Sequence, residues 1–428
     1  MIVFLKKVRV KTIFSKFEPV KVEPLELSYL KSVLESMKIE NYIVDGLFNF
    51  KEPNLIPDVV VLTGYNVAEN EIIKEAKRYK KYFPNVKIIV GGVHIQLNSH
   101  EFHSEYIDYV CHTQSLESFK ELIEKIKNNE KKIISKGIDS YSYKKDLKEK
   151  EWHIGSKEFI YEMEEIFPSR EMFNLIKDKT RFLEKRKVAL IKGSIGCNYK
   201  CSYCYCKEVN EGHYIPPDYF KMANETNTID SDYFWIVDDV LFSSRTQALN
   251  FIEEFKKIDF KKKIIGYLRA DFILNNIDLL FKLKEVGLEE VIVGFEATNN
   301  EELEGYEKTT DALDYPKVIS VLKQEKIDLT ALFMVNPDYR IKDFKNLDLF
   351  IKKNKIEIFT ISILTPIRGT KTYELFKNDL TTDDSKKFDF LHLVLPSALP
   401  KWIFYLRFYG LHLRLILSKR IWKYILRK

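Results

Sequence analysis

The chain has 428 residues, of which 45% are hydrophobic and 31% charged, and its net charge is +6. That size allows two or three domains with substantial cores, while the small positive charge gathers at the C-terminus instead of forming the basic stripe of a nucleic-acid binder. Five cysteines are too few, and odd in number, for a disulfide framework.

The start, Met1-Ile2-Val3-Phe4-Leu5-Lys6-Lys7, lacks the apolar stretch and small-residue site of a signal peptide. No stretch reaches the about 18 uncharged apolar residues that span a bilayer. Free thiols fit a reducing cytoplasm, which is the expected location.

Up to about residue 130, short β-branched runs alternate with helical stretches. Ile2–Val10, Tyr42–Val44, Val59–Thr63, Val86–Val90 and Tyr106–Cys111 predict strands. Pro24–Met37, Ala68–Tyr82 and Leu116–Ile126 predict helices from their three- and four-residue apolar spacing. This alternation predicts a doubly wound, Rossmann-like parallel sheet, whose ligands bind beyond the carboxyl ends of the strands. Gly64-Tyr65-Asn66, Gly91-Gly92-Val93-His94 and Cys111-His112-Thr113 stand at those ends. Gly91-Gly92 allows close backbone approach to a ligand, and equally serves as a plain turn.

Residues 131–186 are rich in charge and predict a linker. Six further strands follow at Val188–Ile191, Tyr233–Val237, Ile264–Leu268, Glu290–Gly294, Leu329–Phe333 and Ile358–Ile363, with helices between them. They predict a partial (β/α)6 barrel over 187–380, with its active face at the carboxyl ends.

The first of these strands runs into Gly196-Cys197-Asn198-Tyr199-Lys200-Cys201-Ser202-Tyr203-Cys204. Three thiolates at this spacing can hold three irons of a four-iron four-sulfur (4Fe–4S) cluster and leave the fourth open for chemistry. The competing reading is a structural zinc site with Cys206 or His213 as fourth ligand, although a zinc knuckle usually needs a second ligand pair. Other strand ends carry Asp238-Asp239, Arg269-Ala270-Asp271 and Gly294-Phe295-Glu296. Singly these are helix caps or surface residues; together they place acid, base and acid around one rim.

The cysteine spacing, with Tyr203 before the third thiol, resembles the radical S-adenosylmethionine (SAM) enzymes. The resemblance implies that Cys197, Cys201 and Cys204 hold the cluster and that SAM binds the open iron and is cleaved to a 5′-deoxyadenosyl radical. It further implies that Asp238 and Asp239 meet the SAM amino group, Arg269 its carboxylate and Glu296 its ribose.

The Glu23-Pro24-Leu25-Glu26 helix start and Val90-Gly91-Gly92-Val93-His94 are similar to the cobalamin-binding domain that precedes many such cores. That implies cobalamin contacts at Gly64, Gly91, Gly92 and His94, with His94 as a loop residue lining the pocket. Two departures stand out. The Asp-x-His-x-x-Gly motif is missing, and His112-Thr113-Gln114-Ser115 replaces the usual Gly-Glu-Gly-Glu loop.

Tyr267-Leu268-Arg269-Ala270-Asp271, Val291-Ile292-Val293-Gly294-Phe295-Glu296, Met334-Val335-Asn336-Pro337-Asp338 and Leu364-Thr365-Pro366-Ile367-Arg368-Gly369-Thr370 are similar in order to the hopanoid C-3 methylases and their relatives. The resemblance implies a cobalamin-dependent methyltransferase acting on an unactivated carbon of an apolar or lipid substrate, with a flavodoxin- or ferredoxin-type electron donor. A radical cyclase, oxidoreductase or rearrangement enzyme without methyl transfer stays open, as does a zinc-stabilised binding module.

The segment 381–428 has no acidic residue after Asp389 and interleaves Lys401, Arg407, Arg414, Lys419, Arg420, Lys423, Arg427 and Lys428 with aromatic and aliphatic residues. It reads equally as a helix on an anionic membrane surface, at the inner face of the membrane, and as a helix that caps the barrel.

Overall fold

The structure is a computed structural model and describes residues 1–10, 18–130, 133–144, 149–158, 160, 165–258 and 260–426. Lys131 and Lys132, residues 145–148 of the charged connector, Arg427 and Lys428 lie outside the described residues. The chain divides into two units, one of residues 1–17, 23–176 and 384–386, the other of 18–22, 177–383 and 387–428.

In chain order the strands up to the connector are β1 (Ile2–Lys7), β2 (Val20–Lys21), β3 (Glu40–Asp45), β4 (Val59–Thr63), β5 (Lys87–Gly91), β6 (Tyr109–Cys111), β7 (Ile138–Lys144) and β8 (Glu149–His153). The sheet of the first unit runs β3-β1-β4-β5-β6-β7-β8. Its members up to β6 pair in parallel, and β7 and β8 add antiparallel.

Alternate residues of one strand feed two cores, as the two-residue period requires. Val60, Leu62, Ile88 and Val90 pack with Ile72, Ala76 and Tyr79 of the Glu69–Tyr82 helix. Val59, Val61 and Ile89 pack with Leu27 and Leu34 of the Leu25–Ser36 helix and with Phe119 and Leu122 of the Leu116–Lys127 helix. Covered on both faces, β4 is buried throughout, which explains its unbroken Val59-Val60-Val61-Leu62 run. The chain leaves β1 for β3 on one side and returns to β4 on the other, so a crevice opens at the carboxyl ends of β1 and β4.

The linker expected over 131–186 is instead partly sheet. β7 continues the sheet from β6 with Asp139 opposite Val110. Asp139 is fully buried and accepts hydrogen bonds from His103 Nε2 (2.9 Å) and His112 Nε2 (3.0 Å). A strand whose inward residue is a carboxylate held by two imidazoles carries no apolar alternation, so its sequence reads as a solvated connector. The Phe167–Arg170 segment is docked on the first helix. Ser32 Oγ donates to Phe167 O (2.7 Å), and Arg170 Nη1 donates to the buried Glu23 Oε1 (2.9 Å).

In the second unit, β9 (Arg181–Phe182) and β10 (Lys185–Arg186) form a small antiparallel sheet with β2. Six parallel strands follow in sequential order: β11 (Val188–Ile191), β12 (Tyr233–Ile236), β13 (Lys263–Tyr267), β14 (Leu288–Glu296), β15 (Asp328–Val335) and β16 (Ile358–Ile363). Val188 of β11 and Ile358 of β16 share one buried cluster with Ile265 and Ile292, so the sheet curls round a common interior. The architecture is thus an α/β chain with a doubly wound unit and a partial (β/α)6 barrel.

The amino-terminal end of this barrel is closed by charge. Glu290 of β14 is fully buried and accepts from Lys185 Nζ (2.6 Å), Arg420 Nη2 (2.7 Å) and Thr330 Oγ1 (2.6 Å). Arg420 belongs to the C-terminal Lys419–Leu426 helix and also donates to Glu184 Oε1 (2.7 Å). Arg414 is paired with Asp348. Two of the cations that the sequence offers to a membrane are therefore committed within the protein.

Candidate functional site

The loop after β11 is shaped by its glycines. Gly196 has φ +80°, and a Cβ there would stand 2.2 Å from the His213 carbonyl. Ile195 and Ile215 exchange backbone hydrogen bonds (3.1 and 2.8 Å) and close the loop. The cysteine turn itself is pinned from outside. Ser202 N–H donates to Tyr306 O (3.1 Å), and Ser202 O accepts from Thr372 Oγ1 (2.9 Å).

Cys197, Cys201 and Cys204 are half-buried free thiols. Burial pushes the Cys197 thiol up to about 11 and raises Cys201 as well, whereas the Cys206 thiol beside Cys204 lowers the latter. Thiols held in this way surrender their protons when a metal replaces them. Among the described residues no group of three or more His, Cys, Asp or Glu side chains forms a single-ion site. Three cysteines on one loop fit a cluster, which takes each on a different iron.

The strand ends beside this loop supply the rim. Asp239 Oδ1 accepts from Cys206 Sγ (3.0 Å) and so faces the thiols. Asp238 does not. It is buried, its Oδ1 accepts from Gly193 N–H (2.8 Å), and burial raises its pKa. The two adjacent aspartates, expected to act together, point differently because neighbouring side chains at a strand end diverge. Asp238 braces the loop and Asp239 meets it.

Arg269, two residues past β13, donates from Nε to Asp271 Oδ1 (3.0 Å) and from Nη2 to Asp271 Oδ2 (2.8 Å) and Thr309 Oγ1 (2.9 Å). Its guanidinium lies 3.7 Å from the ring centre of Tyr199, inside the cysteine loop. Glu296 ends β14 with φ +64°, at an irregularity in the pairing with β15. A Cβ on Gly294 would stand 2.2 Å from Glu296 Oε1, so the glycine lets that side chain fold back. Buried Lys308 donates to Glu296 Oε1 (3.1 Å) and to Gly294 O. Tyr203 packs edge-on against Tyr306 at 5.6 Å, and burial with Glu296 nearby raises its hydroxyl pKa.

The structure therefore brings Cys197, Cys201, Cys204, Tyr203, Asp239, Arg269 and Glu296 to one end of the barrel. Sequence reasoning missed Lys308 and Tyr199. Lys308 sits in a polar Glu307-Lys308-Thr309-Thr310 run that has no signal of burial, and Tyr199 is marked only by its place between two cysteines.

Gly64, Gly91, Gly92 and His94 lie at or just beyond the carboxyl ends of β4 and β5. Gly92 has φ +125°, and a Cβ on it would approach Thr63 Oγ1 to 2.9 Å; one on Gly64 would approach Ala68 Cβ to 2.8 Å. The fold thus needs both glycines whatever they also contact. His94 is not a loop residue. It sits in the short Val93–Leu97 helix, buried, with Nε2 2.7 Å from Glu69 Oε2 and Nδ1 3.4 Å from Asn98 Nδ2. The unusual 112–115 loop is tied down by His112 to Asp139, by Gln96 to Thr113 O (2.9 Å), and by Ser115, which caps the next helix. At the β1/β4 crevice, Tyr65 is 65% exposed beneath Lys7 Nζ, 4.2 Å from its ring centre. Tyr65 therefore presents an exposed aromatic ring at the carboxyl ends of β1 and β4.

No family model matches the chain. Among characterised proteins it is similar to the hopanoid C-3 methylase of Methylococcus capsulatus, 25% identical over 249 residues that cover 58% of this chain and 48% of that protein. It is also similar to the bacteriochlorophyllide d C-8(2)-methyltransferase of Chlorobaculum tepidum, 23% identical over 79% of this chain and 73% of that protein. The chain is thus similar in sequence to proteins named as a methylase and a methyltransferase.

A third relative is the anaerobic magnesium-protoporphyrin IX monomethyl ester cyclase of Synechocystis, 23% identical over 76% of this chain and 66% of that protein. The match to the hopanoid methylase spans about half of that protein's length. Two solved structures share the fold. The cobalamin-dependent SAM radical enzyme OxsB has a TM-score of 0.70 at 14% identity, over 93% of this chain and 64% of that one. The radical SAM methyltransferase TsrM from Kitasatospora setae has a TM-score of 0.66 at 13% identity, over 93% of this chain and 82% of that one.

Proposed function

We propose that this chain is a cobalamin-dependent radical SAM methyltransferase acting on an unactivated carbon of an apolar, lipid-like substrate. The observation that carries the reading is the single rim of free thiols, Asp239, Arg269 and Glu296 at adjacent parallel strand ends. When bound, the cluster and SAM supply a 5′-deoxyadenosyl radical, and cobalamin supplies a methyl group that a carbon radical can take.

The chain's own residues bind and orient. Cys197, Cys201 and Cys204 hold the cluster. Asp239 and Glu296 take the amino group and ribose of SAM, and Arg269, steered by Asp271 and Tyr199, takes its carboxylate. Asp238 holds the loop in place, and Tyr203 shields the site from water. The β1/β4 crevice with Gly64, Gly91 and Gly92 takes the corrin, and His94 shapes its wall. A flavodoxin- or ferredoxin-type protein supplies electrons. Peripheral membrane contact through the C-terminal segment completes the proposal.

A radical cyclase without methyl transfer is the second reading, favoured by the likeness to the protoporphyrin ester cyclase. The test is anaerobic reconstitution with iron, sulfide and hydroxocobalamin, then reductant and methyl-labelled SAM. About four irons and one corrinoid per chain, 5′-deoxyadenosine, and label in the product are expected. Deoxyadenosine with no label in any product would select the cyclase reading, and zinc without SAM cleavage would remove both.

Lys308 acts here as a positioning residue, because it fixes the Glu296 carboxylate. Lys308→Ala is expected to raise the KM for SAM roughly tenfold or more, the loss of a charge-assisted hydrogen bond, with iron content and kcat little changed. An unaltered KM would separate Glu296 from SAM binding.

A further inference from the structure

The Lys401–His412 helix is apolar on two opposite sides. Phe404, Phe408 and Leu411 are buried, and Phe404 packs edge-on against Phe344 of the Ile341–Lys353 helix at 5.2 Å. At about 100° per residue, Trp402 and Leu406 fall on the far side, where they are 70% and 62% exposed, and Leu413, in the 3-10 turn that follows, is 63% exposed. A helix that is hydrophobic all round belongs in a core or against an apolar surface. Here one side has its core and the other has no cover.

The next helix repeats the arrangement. Arg420 and Tyr424 point inward, and Arg420 is clamped to Glu184 and Glu290. Trp422, Ile425 and Leu426 are exposed, together with Lys419 and Lys423. The inward anchors keep the outward residues from turning in, so this apolar and basic face is held outward.

By the same count Lys401 and Arg407 flank the buried side of the first helix, so the exposed cations beside the uncovered apolar residues are Lys419 and Lys423, in a segment that has no acidic residue after Asp389. We infer that this face docks on the surface of an anionic phospholipid bilayer. Tryptophan and leucine side chains would enter the headgroup–acyl boundary while the lysines meet lipid phosphates. A second copy of the chain fits worse, because the self-complementary contact would set lysine against lysine with no carboxylate in the segment. Among the described residues no helix is long and apolar enough to cross a membrane, so docking is peripheral. The inference rests on the membrane-contact part of the proposed function and is independent of the chemistry.

The test is sedimentation of the full chain with vesicles of phosphatidylglycerol and phosphatidylcholine, against vesicles of phosphatidylcholine alone. Binding to the anionic vesicles is expected to be at least about tenfold tighter and to weaken with salt. The triple variant Trp402→Ser, Leu406→Ser, Leu413→Ser and the double variant Lys419→Gln, Lys423→Gln should each lose about tenfold or more. All of these residues point outward, so the fold and iron content are retained. Absence of anionic binding, equal binding to both vesicles, or unchanged binding by both variants would overturn the inference. So would a dimer in solution that the triple variant converts to monomer. Vesicle binding needs neither cluster nor SAM, so its failure leaves the proposed chemistry standing, and failure of methyl transfer leaves the docking face standing.

Discussion

Cys201→Ala is expected to strip the iron from the reconstituted protein and to cut 5′-deoxyadenosine formation by about three orders of magnitude or more, since the thiolates act as one unit. The turn that carries Cys201 is held by backbone hydrogen bonds from Cys204 N–H to Cys201 O (3.2 Å) and from Ser202 N–H to Tyr306 O. These survive the substitution, so the loss would be that of a ligand and not of the loop. Cys206→Ala is the informative partner. Cys206 donates to Asp239 and is spare in a three-cysteine cluster, so iron should remain. In a zinc site that used Cys206 as fourth ligand, the same change would release the metal. Iron and zinc analysis of the two variants therefore separates the readings, and metal loss from Cys206→Ala would defeat the cluster.

Arg420→Ala is expected to destabilise the barrel unit by about 1–3 kcal/mol, the cost of removing one charged hydrogen-bond partner from a buried carboxylate that keeps another cation. Glu290 is fully buried, and removal of Arg420 leaves it with Lys185 and Thr330. Burial disfavours the charged form of Lys185, yet Glu290 and Asp328 raise its pKa overall, as expected for a lysine kept charged by its partners. Arg420→Lys keeps the charge and loses the planar fork that spans Glu184 and Glu290, so it should fall between wild type and alanine. Urea denaturation of the three proteins measures this. A loss below about 1 kcal/mol for Arg420→Ala would mean that the cluster is solvated and does not anchor the C-terminal helix.

Much of the architecture was open to reading in the sequence because its signals are local. The buried strand Val59–Thr63, the amphipathic helices at Glu69–Tyr82 and Leu116–Lys127, and the six barrel strands all follow from apolar periodicity. The cysteine loop is local too, since its three thiols lie within one turn-rich stretch. Residues separated by tens of positions were another matter. That Asp238 braces the loop while Asp239 faces Cys206 depends on which way each side chain leaves the strand end. That Lys308 reaches Glu296 depends on a strand irregularity and a glycine at position 294.

The polar strands β7 and β8 were hidden for a related reason. The inward group, Asp139, is made compatible with burial by His103 and His112, which lie 36 and 27 residues away. The C-terminal segment shows the division most clearly. Its composition marks a basic, aromatic helical tail with no compensating acid. Which cations serve the fold is a matter of long-range packing, because Glu290 and Asp348 lie far away in sequence and claim Arg420 and Arg414. What remained outward, Trp402, Leu406, Lys419 and Lys423, could be identified only once those partners were in place, since periodicity shows that a helix has faces and packing decides which face is covered.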